Sequence, residues 1–523
     1  MQLKEYNTVE RAAGISRDEV GRLGTAILFI VAVIIFTGTQ FAHLEQSYML
    51  ISAAVIGAYM AMNIGANDVA NNVGPAVGSL AMTLTMAILI AAVFEAAGAI
   101  IAGGDVVSTV KKGIIDPADI NNPDVFVWVM MGALLGAAIW LNLATWLGAP
   151  VSTTHAIVGG VMGAGIAARG WDIVNWDAMA KIASSWVVSP VVGGMIAALF
   201  LYALKKSVFF KPNPIECAKK VVPIMIGVMG WAFTTYIALK GIKHLMKISF
   251  PVALLLGLIA GLIVYFLVKP VIAKKAPLLT PDRDGVNRLF TIPLIFSAAL
   301  LSFAHGANDV ANAVGPLAGI VDVLTEGSGG AKVSIPLWVM AIGAIGISIG
   351  LALFGPKLIR TVGSEITELD RSRAFCIALA AAITVIIASQ LGLPISSTHV
   401  ALGGVFGVGF LREFLEQRLG RVVENVIQSH QGEADFNKVE MELRNFQNAP
   451  PEDKKRILNR LKKMGPEATI SAAQRKELQQ ALKRQLVKRS SLLKIVSAWI
   501  ITVPVSAVLA SIFYFALRGM MLP

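Results

Sequence analysis

Two phrases each occur twice in this chain, in the same order, and they constrain its fold more than any other feature. Gly65-Ala66-Asn67-Asp68-Val69-Ala70-Asn71-Asn72-Val73-Gly74-Pro75 returns as Gly306-Ala307-Asn308-Asp309-Val310-Ala311-Asn312-Ala313-Val314-Gly315-Pro316. Gly148-Ala149-Pro150-Val151-Ser152-Thr153-Thr154-His155 returns as Gly392-Leu393-Pro394-Ile395-Ser396-Ser397-Thr398-His399. Each Asn-Asp phrase closes a long apolar run. Two amides and a carboxylate there are costly in lipid unless they bind something or one another. The chain is therefore read as a duplicated membrane protein with one site assembled from both halves.

The apolar runs are long enough to cross about 30 Å of hydrocarbon. Only 15% of residues are charged and 55% are hydrophobic, whereas a soluble domain carries about 25% charged residues. Continuous runs exclude a transmembrane β-barrel, whose segments alternate. The 48 glycines suit a helical bundle, where small residues allow close backbone approach. The net charge of +12 arises mostly in loops and one basic segment; lipid surfaces account for it, and no nucleic-acid partner is expected. Cys217 and Cys376 form no metal-ligand or redox pattern, and no cofactor is expected. Leu23 to Gly38 lacks a small-residue cleavage site, so it reads as an uncleaved first helix.

The predicted fold is an all-α polytopic membrane protein with broken half-helices and a small soluble helical insertion. Residues 1–23 form a polar tail, 24–45 an extra transmembrane helix and 46–204 a first transmembrane repeat. Residues 205–288 are a linker with connecting transmembrane helices, and 289–411 a second repeat. A basic helical insertion follows at 412–494, then the final transmembrane helix at 495–523. Ala156–Ala168 and Val400–Leu411 fall short of the roughly 20 residues a span requires and suit half-helices. The loop Gly103 to Asp124, with its Asp, Asn, Pro and Lys111-Lys112, is expected in water. Lys and Arg in Lys205–Lys220 and Lys269–Arg288 favour the cytoplasm, which places the insertion there too. Within it, Glu440–Phe446 and Ala472–Leu486 have helical periodicity. Ser185-Trp186-Val187-Val188-Ser189-Pro190 is answered by Ala498-Trp499-Ile500-Ile501-Thr502-Val503-Pro504.

In the second phrase, Gly and Pro end one helix, and Ser or Thr caps the next. First-turn N–H groups lack internal partners and carry the positive end of the helix dipole. With Ser152, Thr153, Thr154 and Ser396, Ser397, Thr398 beside them, they form an anion cradle. Two half-helices meeting near the midplane are the usual transporter arrangement for an anionic substrate. In the first phrase Asn67 and Asn71 share a helix face, with Asp68 adjacent. The set Asn67, Asp68, Asn71, Asn308, Asp309 and Asn312 offers hard oxygen ligands to a small cation; a proton on either Asp could serve instead. Glu95, alone in an apolar run, is either on a substrate path or a structural hydrogen bond. His155 and His399 either couple protons or pack behind the cradle. Trp186 and Trp499 read as packing residues or interfacial anchors.

At these residues the sequence resembles the PiT family of inorganic phosphate transporters, through the doubled Gly-Ala-Asn-Asp-x-Ala-Asn and the doubled Pro-x-Ser-Thr-Thr-His, over about 45–412 and 490–520. The resemblance implies inverted-topology repeats, symport of phosphate with sodium or protons across the cell (inner) membrane, and a homodimer. It gives the Asn and Asp residues to the coupling cation and the Ser and Thr residues to the anion. Ser397 stands where the family has Thr, and keeps the hydroxyl. Ala378 stands where animal members carry Glu, which bears on the coupling ion. The insertion is not a family hallmark.

Similar bacterial carriers move sulfate, which is the alternative substrate. Phosphate keeps a proton at neutral pH that Asp68 or Asp309 can accept, and sulfate has none to donate; a site built on that bond favours phosphate. A channel lacks a duplication around half-helices. An enzyme is not expected either: Ser152 with His155 recurs as Ser396 with His399, and two such pairs point to binding.

Overall fold

Asn and Asp cannot lie inside an uninterrupted membrane helix without finding partners, and at both Asn-Asp phrases the helix breaks. The helix Ser47–Asn67 stops there and a second, Ala70–Gly78, begins. Thr291–Asp309 likewise gives way to Ala311–Glu326. Pro75 and Pro316 lie inside the second pieces. Each removes the amide that would bond four residues back, freeing the carbonyls of Asn71 and Asn312 from their usual helical donor.

The computed structural model describes residues 2–115, 120, 122–241, 248–326, 335–364, 369–415, 418–432, 436–449, 456–458, 470–483 and 489–521. Among them there is no strand beyond one isolated bridge between Ile115 and Val174. Eleven helices among the described residues are long and apolar enough to cross a membrane, so the all-α polytopic reading holds. The chain divides into two compact units, Met1–Gly407 with Ser490–Pro523, and Val408–Arg489.

In the first unit the broken helices cross-pack. Ser47–Asn67 lies on Leu337–Ser364, and Thr291–Asp309 lies on Leu84–Ala102. Both contacts depend on glycine: a Cβ at Gly65 would collide with the Ile347 carbonyl, and one at Gly306 with the Glu95 carbonyl. Glu95 and Ile347 therefore occupy matching places in the two contacts. The close approach resembles other membrane helix pairs built on small residues.

The cradles are built alike. Pro123–Leu147 ends at Gly148 in the left-handed conformation (φ 73°), and Gly392 takes the same one (φ 67°) after Arg371–Gln390. Only glycine reaches that region without strain. Ser152 then caps Thr153–Arg169 by accepting from the His155 amide, and Ser396 accepts from the His399 amide ahead of Ser397–Leu415. These half-helices have 17 and 19 residues, longer than the apolar segments Ala156–Ala168 and Val400–Leu411, because the polar cradle residues form their first turns and the helices run on to Arg169 and Leu415.

The first helix runs from Gln2 to Gln40, and its apolar span is Glu19–Gln40. One expectation is corrected. The segment Gly103 to Asp124 is not simply a solvated loop. Gly104–Lys112 is a helix burying Val106, Val107 and Val110, and Thr109 donates to the Gly392 carbonyl at 2.8 Å. Its valines recur at helical spacing, so polar composition hid an amphipathic element.

The second unit contains the helices Arg418–Ser429, Phe436–Asn448 and Ala472–Lys483. They close over Val423, Val426, Val439, Leu443, Phe446 and Leu478. Of the predicted helix Ala472–Leu486, residues 484–486 lie outside the described residues.

Candidate functional site

The predicted residues of both halves converge. Asp68 Oδ2 accepts the Thr153 hydroxyl at 2.5 Å, and Asp68 Oδ1 accepts the Thr398 hydroxyl at 2.5 Å. Asp309 Oδ2 accepts the Ser397 hydroxyl at 2.8 Å. The amides cross between halves: Asn71 donates to Thr398 at 2.9 Å, and Asn312 to Thr154 at 3.1 Å and Thr153 at 3.0 Å. Thr154 in turn donates to the Ile395 carbonyl at 3.0 Å. All these polar side chains are buried.

Asn67 and Asn308 face the turns rather than the centre. Asn67 donates to Thr145 and the Ala149 carbonyl and accepts the Val151 amide. Asn308 donates to Ser389 and the Leu393 carbonyl. Each thus ties a broken helix to the turn that opens its own cradle. Ser152 and Ser396 act as helix caps, so the hydroxyls turned toward the acids are those of Thr153, Ser397 and Thr398.

His155 and His399 lie behind the cradles. Their rings meet edge to face at 4.4 Å, and they pack on Trp186 at 3.8 Å and Trp499 at 3.6 Å. Trp186 Nε1 donates to the Pro394 carbonyl, another contact between halves.

Sequence reasoning missed His305 and Asn72. His305 Nδ1 lies 2.6 Å from Glu95 Oε2, and its Nε2 lies 2.9 Å from Asp309 Oδ2, at ion-pair distance without hydrogen-bond alignment. Asn72 donates to Glu95 Oε1 at 2.8 Å. A buried polar chain therefore runs Asn72, Glu95, His305, Asp309, Ser397. The chain draws on both halves and is not duplicated: the phrases align Ile64 with His305 and Ala313 with Asn72, and Ile347 takes the place of Glu95. The signal was a histidine one residue before Gly306, in an apolar run whose first copy carries isoleucine.

Buried carboxylates must be paired, protonated or matched by a cation. The residues fit a small hard cation. Asp309 Oδ1, Asn308 Oδ1 and Asn71 Oδ1 are buried oxygens without a hydrogen-bond donor, and oxygen is the ligand hard cations take. One atom each of Asp68, His305 and Asp309 lie within 4.8 Å of one another. The hydroxyls and cradle amides fit an oxyanion.

The model of the phosphate transporter family matches residues 64–510. The chain belongs to that family. It is a multi-pass protein of the cell membrane. This family member is 48% identical over 527 residues to a Helicobacter pylori J99 protein with the provisional name phosphate permease, and 99% of each chain is covered. A Pyrococcus furiosus protein with the same provisional name is 44% identical over 373 residues, which cover 71% of this chain and 89% of that one. Among solved structures, a sodium-dependent phosphate transporter superposes with a TM-score of 0.73 at 33% identity, covering 91% of this family member and all of that chain.

Proposed function

We propose that the protein is a secondary symporter that moves inorganic phosphate across the cell membrane with sodium or protons, by alternating access around this site. One observation carries the reading: hydroxyls of both cradles donate to Asp68, while the Asn amides of each half reach the cradle of the other. An oxyanion needs those donors, and the acids hold them. Positive charge delivered to Asp68 and Asp309, as sodium or as a proton, weakens their hold and frees Thr153, Ser397 and Thr398 for phosphate. Binding of one ion then favours binding of the other, which is the thermodynamic requirement for coupling.

In this reading Asn67, Asp68, Asn71, Asn308, Asp309 and Asn312 serve the cation. Ser152, Thr153, Thr154, Ser396, Ser397 and Thr398 serve the anion, the two capping serines by fixing the first turn. Glu95 joins the cation side through His305, and His155 with His399 pack behind the cradles. Residues 46–204, and 289–411 with 495–523, are taken as inverted repeats; the matched glycine contacts and crossed amides support that pairing. The name of the similar solved transporter favours sodium. The similar proteins are named for phosphate, and nothing favours the sulfate alternative. The functional particle is taken as a homodimer, on the family resemblance, and light scattering of the solubilised protein tests it.

The deciding experiment is uptake of radiolabelled phosphate by proteoliposomes, with sodium and pH gradients imposed separately and sulfate and arsenate as competitors. Uptake driven by one gradient, with arsenate but not sulfate competing, is expected. Indifference to both gradients would sink the symport reading.

A further inference from the structure

A cavity lies away from the acids. It has a volume of about 720 Å³ and sits between the connecting helices Pro214–Tyr236 and Phe250–Lys275 on one side and Thr291–Asp309 on the other. That is within the range of about 300–1,000 Å³ typical of ligand sites. Its walls are apolar, among them Ile226, Phe233, Val264, Val268, Phe296 and Leu300. Its two cations come from one end. Lys275 is in the last turn of its helix, and Arg288 in the last turn of Arg283–Leu289, just ahead of the Thr291–Asp309 span. Both belong to the Lys269–Arg288 connection, whose charge favours the cytoplasmic side.

A long apolar body with a single anionic end is the complement of such a cavity. Inorganic phosphate has no such body, and an apolar helix of a second copy has no such end. Basic pockets between membrane helices on the cytoplasmic side take anionic lipid headgroups. We propose that the cavity binds an anionic glycerophospholipid, with an acyl chain between the connecting helices and Thr291–Asp309 and its phosphate on Lys275 and Arg288.

The occupant would brace the helix that carries His305, Asn308 and Asp309. Phe233 lines the cavity and also meets the Phe303 ring edge-on at 5.6 Å, and Phe303 is on that helix.

The test is native mass spectrometry of the full-length protein with phosphatidylglycerol and phosphatidylcholine of identical chains. The wild type retains phosphatidylglycerol in preference. Each cation near an anionic headgroup is worth about a fivefold preference, so Lys275→Gln with Arg288→Gln lowers it about 30-fold. Val268→Trp, which leaves both cations and fills the chain path, loses both lipids. Thermal unfolding in detergent verifies that each variant is folded. Equal retention of the two lipids by wild type overturns the proposal, as does unchanged preference in the double variant. Displacement of phosphatidylglycerol by millimolar inorganic phosphate would assign the cations to the free anion and overturn it too. The readout is bound lipid mass, so it stands or falls apart from phosphate uptake.

Discussion

Thr398 and Asp68 belong to different halves of the chain, yet the Thr398 hydroxyl donates to the Asp68 carboxylate across 2.5 Å. The same hydroxyl accepts from Asn71. A cradle residue of the second half therefore completes the Asn-Asp phrase of the first.

Thr398→Val keeps the shape and removes the hydroxyl. It leaves a buried acceptor on Asp68 and a donor on Asn71 unpaired, each worth about 1–3 kcal/mol. Uptake is expected to fall by at least tenfold and the unfolding midpoint in detergent to drop, while Thr398→Ser retains most of both. Parallel uptake and melting measurements check this.

Asp68→Asn and Asp309→Asn remove the charge that the proposed cation would meet and keep the size. Hydrogen bonds to charged groups contribute about 1.5–3 kcal/mol, a factor of roughly ten to a hundred or more. Uptake in proteoliposomes should be lost to that extent in either variant, with normal membrane insertion. Full uptake in both would remove the acids from the mechanism.

Gly65→Ala and Gly306→Ala press a methyl group onto the carbonyls of Ile347 and Glu95. Overpacking a tight contact costs about 1–3 kcal/mol, and backbone cannot swing aside as a side chain does. Both variants should melt earlier than wild type. Gly24→Ala, where an added Cβ meets nothing within 4 Å, should not.

Asp370 caps Arg371–Gln390 by accepting from the Arg373 amide, and it pairs with Arg283 at 2.8 Å. Burial works against its ionised form. The adjacent Arg373 and Arg283 outweigh that and hold the carboxyl below the usual range. A carboxyl held low in the folded state adds stability at pH values above the unfolded value of about 3.9, and this is lost as pH falls through the folded value. Asp370→Asn should therefore lower the melting temperature at pH 7 and approach wild type near pH 3, as melting at both pH values would reveal.

Phe446 is fully buried in the Val408–Arg489 unit. Phe446→Ala should destabilise that unit by about 3–5 kcal/mol. Limited proteolysis should then cut it sooner. Phosphate uptake should persist, because the candidate site lies wholly in the other unit.

Much of this was legible in the chain because the phrases are doubled. Gly148 and Gly392 with their prolines announce helix ends, and Ser152 and Ser396 announce caps, from local chemistry alone. His305 was not legible in that way: its partner Glu95 is 210 positions distant, and only packing of Thr291–Asp309 on Leu84–Ala102 brings them together. The helix Gly104–Lys112 was masked by its charges, since it is buried mainly against Ala311–Glu326, far along the chain. The distinct jobs of the serines and threonines in each cradle depend on which way each first-turn residue faces, which only the built turn reveals.

Exchanging the two halves puts Ile64, Ile347 and Ala313 where His305, Glu95 and Asn72 stand. A carrier of two equal halves would rest with equal ease open to either side, since swapping the halves would return the same molecule. Here the swap exchanges an ionisable string for hydrocarbon, so under the alternating access proposed above the two orientations would differ in energy.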